Sequence, residues 1–500
     1  MKDRRIFITC LVLFLGVCLT TCCIAILGSL LYFQESNYFS VFPTAGQVIK
    51  PTDEMQSQSD LPVEPTVETS ITGNESPDIS RGETIDHDLA RQMDEIQMQV
   101  IMERGLKPTE SVKRNLYSTE QLSEKIKNDF LEDYSLEDAR KEALTLAAFG
   151  LINPDFDLHN LYIDLYSEQV AGFFDIDEKE MVVVQGEGFG GVERFVYAHE
   201  YTHVLQDQNF DIENGLQYSD EHCEIDAERC SAILALIEGD ATLSQLRWFM
   251  SNASPADQAD VMEMVTTGTE SPIFDSAPEF IALGLTFPYE YGYLFVDHLY
   301  SKGGWGAVDR AYQDPPVSTE QILHPNRYPD DKPIPMILPN FGELLGSGWE
   351  EIDRGVVGEW YSYLILAKGL DERARLEEDQ AEHAAEGWGG DAYVVYYNSD
   401  TQKTVMVLNS VWDTTADAGE FAKAFRNYSD QRFGKSSNDT WQDSDSYHEF
   451  HFDADTTTWI LAPNFEVASE IWQMLQPCLL YTSPSPRDQS LYLVCRLLLE

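Results

Sequence analysis

Apolar residues between positions 85 and 387 recur mainly at intervals of three and four, as expected when one face of a helix packs on a core. Gly105 follows the first of these stretches, at a position where glycine commonly ends a helix. The spacing predicts helices over residues 85–104, 118–132, 135–149, 194–211, 226–250, 290–301, 304–313, 357–367 and 371–386.

Other segments have the pattern of strands. VAGFFDIDEKEMVVVQ, residues 170–185, predicts a hairpin with its turn at 175–179. After the break GWGGD at 387–391, the order becomes strand–strand–helix–strand–strand–helix. The chain is therefore predicted to be an α+β protein: a mainly helical domain with a small edge sheet at 85–387, followed by a small α+β unit at 388–477.

Composition excludes one class of partner. The 500 residues are 43% hydrophobic, which is enough to build a core, but 86 acidic residues face only 33 basic ones, for a net charge of −53. No basic patch is present that could bind phosphates, so we expect no nucleic-acid partner.

The N-terminus predicts a membrane anchor. Residues 6–33 carry no charge and exceed the ~20 residues that span a bilayer. The basic residues within 1–5 should stay in the cytoplasm, which places the folded part outside a single-pass cell-membrane anchor. Residues 34–84, rich in Pro, Ser, Thr and acids, read as a disordered linker. A cleaved or lipidated signal ending near LTTC, residues 19–22, is the alternative.

The C-terminal residues 478–500 contain CLLYTSPSPRD, which resembles a translated sequencing adaptor, and we treat them as a non-native tail. Outside this tail and the apolar N-terminal segment, the remaining cysteines are Cys223 and Cys230. A disulfide between them suits an extracytoplasmic domain. Seven residues along one helix would separate the Cα atoms by ~10 Å, so Cys223 must precede the helix of Cys230. Zinc ligation by this pair is the alternative.

The chemistry centres on the sequence HEYTH. His199 and His203 lie four residues apart, so a helix presents both imidazoles on one face to a single tetrahedral ion. Glu200 projects beside them. A zinc ion lowers the pKa of a bound water to about 7, and a carboxylate at that position can act as general base. The alternative is an amphipathic helix with two ordinary histidines.

A third ligand is expected from a following helix. Glu238 in ALIEGDAT follows an apolar run, which indicates burial, and the adjacent Gly239 permits close packing. Asp240 is a candidate hydrogen-bond acceptor for a ligand histidine. A set of nearby polar residues competes with Glu238 as ligand: Glu221, His222, Glu224, Asp226 and Glu228.

AHEYTHVLQDQNFD followed by ALIEGDAT resembles the gluzincin group of zinc metallopeptidases, in particular poorly characterised bacterial membrane-anchored or secreted members. The resemblance covers roughly residues 85–477. It implies a zincin-like fold, one catalytic Zn²⁺ held by His199, His203 and Glu238, and Glu200 as general base. In such folds an edge strand binds the substrate backbone, here either VAGFFDID or EMVVVQ. The acid at +2, Asp240, departs from the thermolysin-like pattern, which has it at +4.

Two further residue types could donate a hydrogen bond to the transition-state oxyanion. His324 in STEQILHP is one candidate, and Tyr291 or Tyr293 in YEYGY is the other. Structural roles, such as a core tyrosine or a helix-capping histidine, are the alternatives.

The sequence therefore predicts a membrane-anchored, extracytoplasmic zinc endopeptidase that acts on protein or peptide substrates. Two alternatives remain: a zinc amidase that acts on cell-wall material, and a non-catalytic surface binding module on a peptidase-like fold.

Overall fold

The computed structural model describes residues 85–479 apart from 119–120, 126, 129–133, 169–171, 177, 185–187, 268–270 and 437. Over this range the chain is a mixed α+β protein, which confirms the predicted fold class. The predicted anchor 6–33, the linker 34–84 and residues 480–500 of the predicted tail lie outside the described residues.

The helices are α1 His87–Arg104, α2 Leu136–Phe149, α3 Leu158–Glu168, α4 Gly191–Phe210, α5 Asp220–Ile225, α6 Ala227–Asn252, α7 Pro255–Thr267, α8 Pro272–Ser276, α9 Glu279–Gly303, α10 Trp305–Ala311, α11 Thr319–Leu323, α12 Gly342–Leu345, α13 Gly358–Ala367, α14 Glu378–Ala385, α15 Thr415–Phe433 and α16 Phe465–Leu479. The strands are β1 Lys113–Tyr117, β2 Gly172–Asp175, β3 Glu180–Val184, β4 Trp349–Gly355, β5 Trp388–Asn398, β6 Lys403–Trp412, β7 Thr440–Gln442, β8 Tyr447–Asp453 and β9 Thr456–Ala462.

Local signals explain where the first helices begin and end. The Asp86 side chain accepts hydrogen bonds from the second and third backbone N–H groups of α1, and Gly105 ends the helix with φ at 82°. Ser135 and Asp138 form a capping box at the start of α2, which ends at Gly150 in the same left-handed conformation. Both helices were predicted within two residues of these bounds.

The smaller sheet has the order β1-β3-β2. β2 and β3 form the predicted antiparallel hairpin, with Phe174 opposite Met181. β1, which was not predicted, pairs parallel to β3 with Asn115 opposite Val182. Pairing with a strand so far along the chain leaves no local turn signal, which explains why sequence patterns missed it.

The larger sheet has the order β4-β5-β6-β9-β8-β7, and all its neighbours are antiparallel. Alternate residues face opposite layers: Val395 and Met406 join the core that contains α15, whereas Val394 and Val405 join the core that contains α16. Strand β4 forms one edge of this sheet, although its residues precede the domain boundary predicted at residue 388.

At the centre of the helical part, α6 and α9 are in direct backbone contact. A Cβ atom on Gly239 would lie 2.1 Å from the carbonyl oxygen of Gly292, and a Cβ on Gly292 would lie 2.2 Å from that of Ala235. Only glycine fits such an approach. The close packing expected beside Glu238 is therefore present.

The predicted cell-membrane localisation is corrected by the helices of the structure. In the part of the chain that the structure describes, none of them combines the length and the apolar character needed to cross a membrane. The longest, α6, has 26 residues but carries Glu238, Asp240 and Arg247 within its length. Its apolar residues face other helices of the same core.

Candidate metal centre

The predicted metal helix, α4, is enclosed on nearly every side. Each of its residues from 195 to 207 is buried. The helix packs against α1, α6, α7 and strand β2. Polar side chains on such a helix have lost their water, so each needs a partner inside the protein.

The three predicted ligands converge on one point. His199 and His203 lie one turn apart on α4, with ring centroids separated by 4.8 Å. From α6, Glu238 Oε2 lies 3.1 Å from His199 Nε2 and 3.4 Å from His203 Nε2. All three side chains are at most 2% exposed. The structure therefore brings together the residues that the sequence singled out, as a potential metal-binding group.

These separations suit a zinc ion. Donor atoms at 2.0–2.1 Å from a tetrahedral zinc lie about 3.3 Å from one another, and two imidazole nitrogens with a carboxylate oxygen form a common catalytic donor set. Among the described residues, no group lies within hydrogen-bonding reach of Glu238 Oε1. A buried carboxylate oxygen without a partner is rare, and a bound cation would supply the missing charge.

Burial and charge act strongly on the ligand pKa values. Burial alone would lower the pKa of His203, but the charge of Glu238 outweighs it and raises the pKa to about 9. Burial would raise the pKa of Glu238, but His203 and the hydrogen bonds from both histidines lower it to about 2. Burial lowers the pKa of His199. The two groups thus shift each other's pKa in opposite directions, and a cation bound by both would require His203 to give up its Nε2 proton.

Glu200 lies beside the ligands on the same helix. Its Oε2 accepts a hydrogen bond of 3.0 Å from the backbone N–H of Phe174 in β2. Its Oε1 is buried and has no partner within the described residues. Burial raises the pKa of Glu200 to about 8. A carboxyl group with one anchored and one open oxygen, and a pKa near neutrality, has the properties of a general base.

Gln206 was not predicted as a site residue, yet it contacts a ligand. Its Oε1 lies 2.7 Å from His203 Nδ1. Its Nε2 donates to the carbonyl oxygen of Ile237 at 2.9 Å and to Asp240 Oδ2 at 3.1 Å. The signal that could have identified Gln206 is its spacing: it lies three residues after His203, on the same face of α4.

Asp240, predicted to accept a hydrogen bond from a ligand histidine, lies one step further away. Its carboxylate accepts from Arg104 Nε at 2.6 Å, from Arg104 Nη2 at 3.0 Å and from the Tyr312 hydroxyl at 2.8 Å. It reaches His203 only through Gln206.

His199 also has a glutamine neighbour. The Gln245 side chain opposes the effect of burial on the pKa of His199, but no group among the described residues lies within hydrogen-bonding reach of His199 Nδ1. Gln245 Nε2 donates at 2.9 Å to the carbonyl oxygen of Phe195, one turn before His199 on α4. Gln206 of α4 thus contacts His203 directly, whereas Gln245 of α6 is bonded to the backbone one turn before His199.

The predicted oxyanion donors have partners of their own. His324 Nε2 is 2.8 Å from Glu359 Oε1, and this hydrogen bond raises the pKa of His324. Tyr293 is partly buried on α9, with Asp297 as its charged neighbour. Tyr291 packs against Phe287 and Trp360 instead.

Two other tyrosines flank the triad. The Tyr289 ring lies 6.3 Å from the His199 ring. Tyr218 is buried near Glu238, whose charge adds to the effect of burial and holds the pKa of Tyr218 well above its usual value. Both line a cavity of about 580 Å³, with Leu234 and Phe280 in the same wall. The cavity reaches the two tyrosines near the triad, while His199, Glu200, His203 and Glu238 are not among its lining residues.

The competing ligand candidates have structural partners. His222 Nδ1 lies 2.7 Å from Ser219 Oγ, the Asp226 side chain caps α6, and Glu228 accepts from the backbone and hydroxyl groups of Thr319 at 2.6 and 2.7 Å. Glu221 and Glu224 do not belong to the metal-binding group around Glu238.

The predicted disulfide between Cys223 and Cys230 is present, with a Cα–Cα distance of 5.5 Å. Cys223 lies on α5 and Cys230 on α6, and the chain turns at Asp226 between them. The geometric requirement from the sequence, that Cys223 precede the helix of Cys230, is met.

A second acidic group contains its own cation. Glu320, Asp331 and Asp413 approach one another closely, but Arg327 Nη1 forms ion pairs with all three, at 3.2 Å to Asp413 and 3.8 Å to Asp331. The guanidinium therefore supplies the positive charge at this position.

Comparison with known proteins informs a different part of the chain. Residues 344–472 match the family described as Domain of unknown function (DUF8575). This stretch contains the six-stranded sheet and excludes His199, His203 and Glu238. No curated protein and no solved structure matches the chain.

Proposed function

We propose that this protein is a zinc-dependent endopeptidase. The observation that carries the proposal is the convergence of His199 Nε2, His203 Nε2 and Glu238 Oε2 beside a buried Glu200 oxygen that has no partner among the described residues. A purely structural ion pair between His203 and Glu238 would not need the second buried carboxylate, Glu200, whose Oε1 has no partner among the described residues. The resemblance of the two motifs to gluzincins supports the same reading.

The residues divide the chemistry between them. A zinc ion held by His199, His203 and Glu238 supplies Lewis acidity, which polarises a carbonyl and acidifies water. Glu200 Oε1 takes the proton of the attacking water and passes it to the leaving amine nitrogen. The hydrogen bond from Phe174 holds the other oxygen, so that the open one keeps a single orientation.

The surroundings of the site suit an extended peptide. β2 is an edge strand, and the Phe174 N–H points from its unpaired side towards Glu200. A substrate backbone added along this edge would pass Glu200. The cavity lined by Tyr218 and Tyr289 receives a substrate side chain, and these hydroxyls replace His324 and Tyr293 as our candidate oxyanion donors.

The test compares the full-length protein with its Glu200→Gln variant. Metal content is measured by mass spectrometry, and hydrolysis is followed with casein and a mixed peptide library. We expect one zinc per chain in both proteins and a loss of hydrolysis of at least roughly 100-fold in the variant. The matched control is Glu213→Gln, an exposed residue after α4, which should retain both properties.

The other outcomes distinguish the alternatives. Zinc without peptide hydrolysis would favour an amidase, and cell-wall fragments would then be tested as substrates. A chain that binds no zinc would be a non-catalytic binding module, and the endopeptidase proposal would be abandoned.

A further inference from the structure

A line of buried polar side chains connects the first described helix to the metal centre. It begins at Arg104, the last residue of α1, whose side chain is fully buried. Arg104 contacts Asp240 through two hydrogen bonds, Asp240 contacts Gln206, and Gln206 contacts His203. Residues 104, 206 and 240 are distant in sequence, so only the fold assembles this line.

The orientation of Gln206 is determined by its partners. Its Nε2 faces two oxygens that can only accept, the carbonyl of Ile237 and the carboxylate of Asp240. The amide nitrogen must lie on that side, so Oε1 is the atom that faces His203.

This orientation selects one tautomer of His203. Because Gln206 Oε1 can only accept, Nδ1 of His203 must carry a proton. A neutral His203 then has its lone pair on Nε2, the atom that faces Glu238 Oε2. This is the tautomer that a metal at the triad requires.

Arg104 makes the line possible. Asp240 is fully buried, and an unpaired carboxylate there would be very costly. The guanidinium of Arg104 supplies the balancing charge, while Asp309, at 2.8 Å, and the Trp305 ring, at 4.4 Å, hold it in place. The helix α1 therefore contributes a charged group to this line of buried side chains.

We infer that Arg104, Asp240 and Gln206 are positioning residues that hold His203 in its metal-binding tautomer. The inference rests on the proposed metal centre. The three residues act in series, so Asp240 influences His203 through Gln206.

The test is a double-mutant cycle in the full-length chain, with Gln206→Met, Asp240→Asn and the double variant. Zinc affinity is measured by competition with a chromophoric chelator, and ligand geometry by the visible spectrum of the Co²⁺-substituted protein. We expect Gln206→Met to weaken zinc binding roughly 10- to 100-fold and to shift the cobalt spectrum. The same substitution at Gln380, exposed on α14, is the control and should change neither.

The cycle separates a positioning role from a merely structural one. If Asp240 acts through Gln206, Asp240→Asn weakens zinc binding in the wild type but has little further effect in the Gln206→Met background. Two independent structural effects would instead add. Should Gln206→Met fail to fold, a changed cobalt spectrum in Asp240→Asn still supports the inference, and an unchanged one contradicts it.

Failure of the inference differs from failure of the proposed function. Equal zinc affinities and identical cobalt spectra in wild type and Gln206→Met would overturn the positioning role while leaving the metal centre intact. A wild-type chain that binds no metal would overturn both.

Discussion

The helix pair α4–α6 and the six-stranded sheet are both deeply buried, but their interiors differ in kind. The centre of the sheet is made of side chains such as Val394, Met406 and Val407, which are fully buried. The centre of the helix pair contains His199, Glu200, Gln206, Glu238 and Asp240, which are at most 1% exposed. Burying polar groups is costly, so a stretch of the core that contains so many of them points to chemistry.

Both regions contain buried polar groups, and their surroundings differ. In the sheet, Thr458 donates to Asn409 at 2.8 Å and Trp412 donates to Thr457 at 3.0 Å, whereas Glu449 Oε2 on β8 has no hydrogen-bond partner among the described residues. In the helix pair, Glu200 and Glu238 each keep an oxygen with no partner within the described chain. In the helix pair these oxygens lie beside two histidines in one potential metal-binding group, which is the basis of the proposed function, while the family match covers the sheet.

The largest expected effect comes from removing a buried histidine in each region. His203 and His448 are both 2% exposed. We expect His203→Ala to abolish stoichiometric zinc binding. This loss of zinc affinity is greater than the roughly 100-fold weakening expected when a hydrogen-bond partner of a ligand is removed. His448→Ala should retain zinc, because its neighbours are Phe433, Trp459 and Ser446. Metal analysis after dialysis checks both, and equal zinc content in the two variants would contradict the comparison.

The sheet should respond through stability alone. Phe425 is fully buried and packs against Phe450, Trp441 and Trp459. Phe425→Ala should lower the free energy of unfolding by about 3–5 kcal/mol, since it leaves a large cavity. Urea denaturation measures this change, and zinc per folded chain should stay constant. A simultaneous loss of zinc would show that the two regions are coupled.

Gly239 tests whether the backbone contact of α6 with α9 positions the ligand next to it. Gly239→Ala places a methyl group against the carbonyl of Gly292 and should destabilise the protein by about 1–3 kcal/mol. Because Glu238 would move with the helix, zinc affinity should fall as well. The control is Gly188→Ala, where an added Cβ would meet nothing within 4 Å. Unchanged affinity in Gly239→Ala would mean that the contact supports only packing.

The last prediction concerns pH and separates two buried acids of α6, Glu228 and Glu238. Burial raises the pKa of Glu228 from 4.5 to about 8, so between these values the folded protein holds a proton that the unfolded chain releases. This contribution lowers stability as pH rises through that window, by at most about 1.4 kcal/mol per pH unit. Glu228→Gln should therefore be more stable than wild type at pH 8 and similar near pH 4.5, as thermal unfolding would reveal. Zinc content should not change, in contrast to Glu238→Gln.

Much of the site could be predicted because its signals are local. Two histidines four residues apart share a helix face wherever that helix lies, and an acid after the apolar run AILALI is expected to be buried. The position of the disulfide could also be predicted from the sequence, because helix geometry excludes a bond between cysteines seven residues apart on one helix. The proximity of Tyr218 and Tyr289 to the triad could not be predicted because neither tyrosine has a sequence motif. The predicted donor His324 is hydrogen-bonded to Glu359.

The sequence by itself determined the helical and strand periods, the helix ends at Gly105 and Gly150, and the His199–Glu200–His203 face. These features depend on neighbours within a few residues, where bond geometry and side-chain spacing decide. Only the tertiary structure decided that Gln206 contacts His203, that Asp240 contacts Arg104 and that β1 pairs with β3. Such contacts join segments that are distant in sequence. They depend on which buried polar groups the packed helices and strands bring within hydrogen-bonding distance of each other.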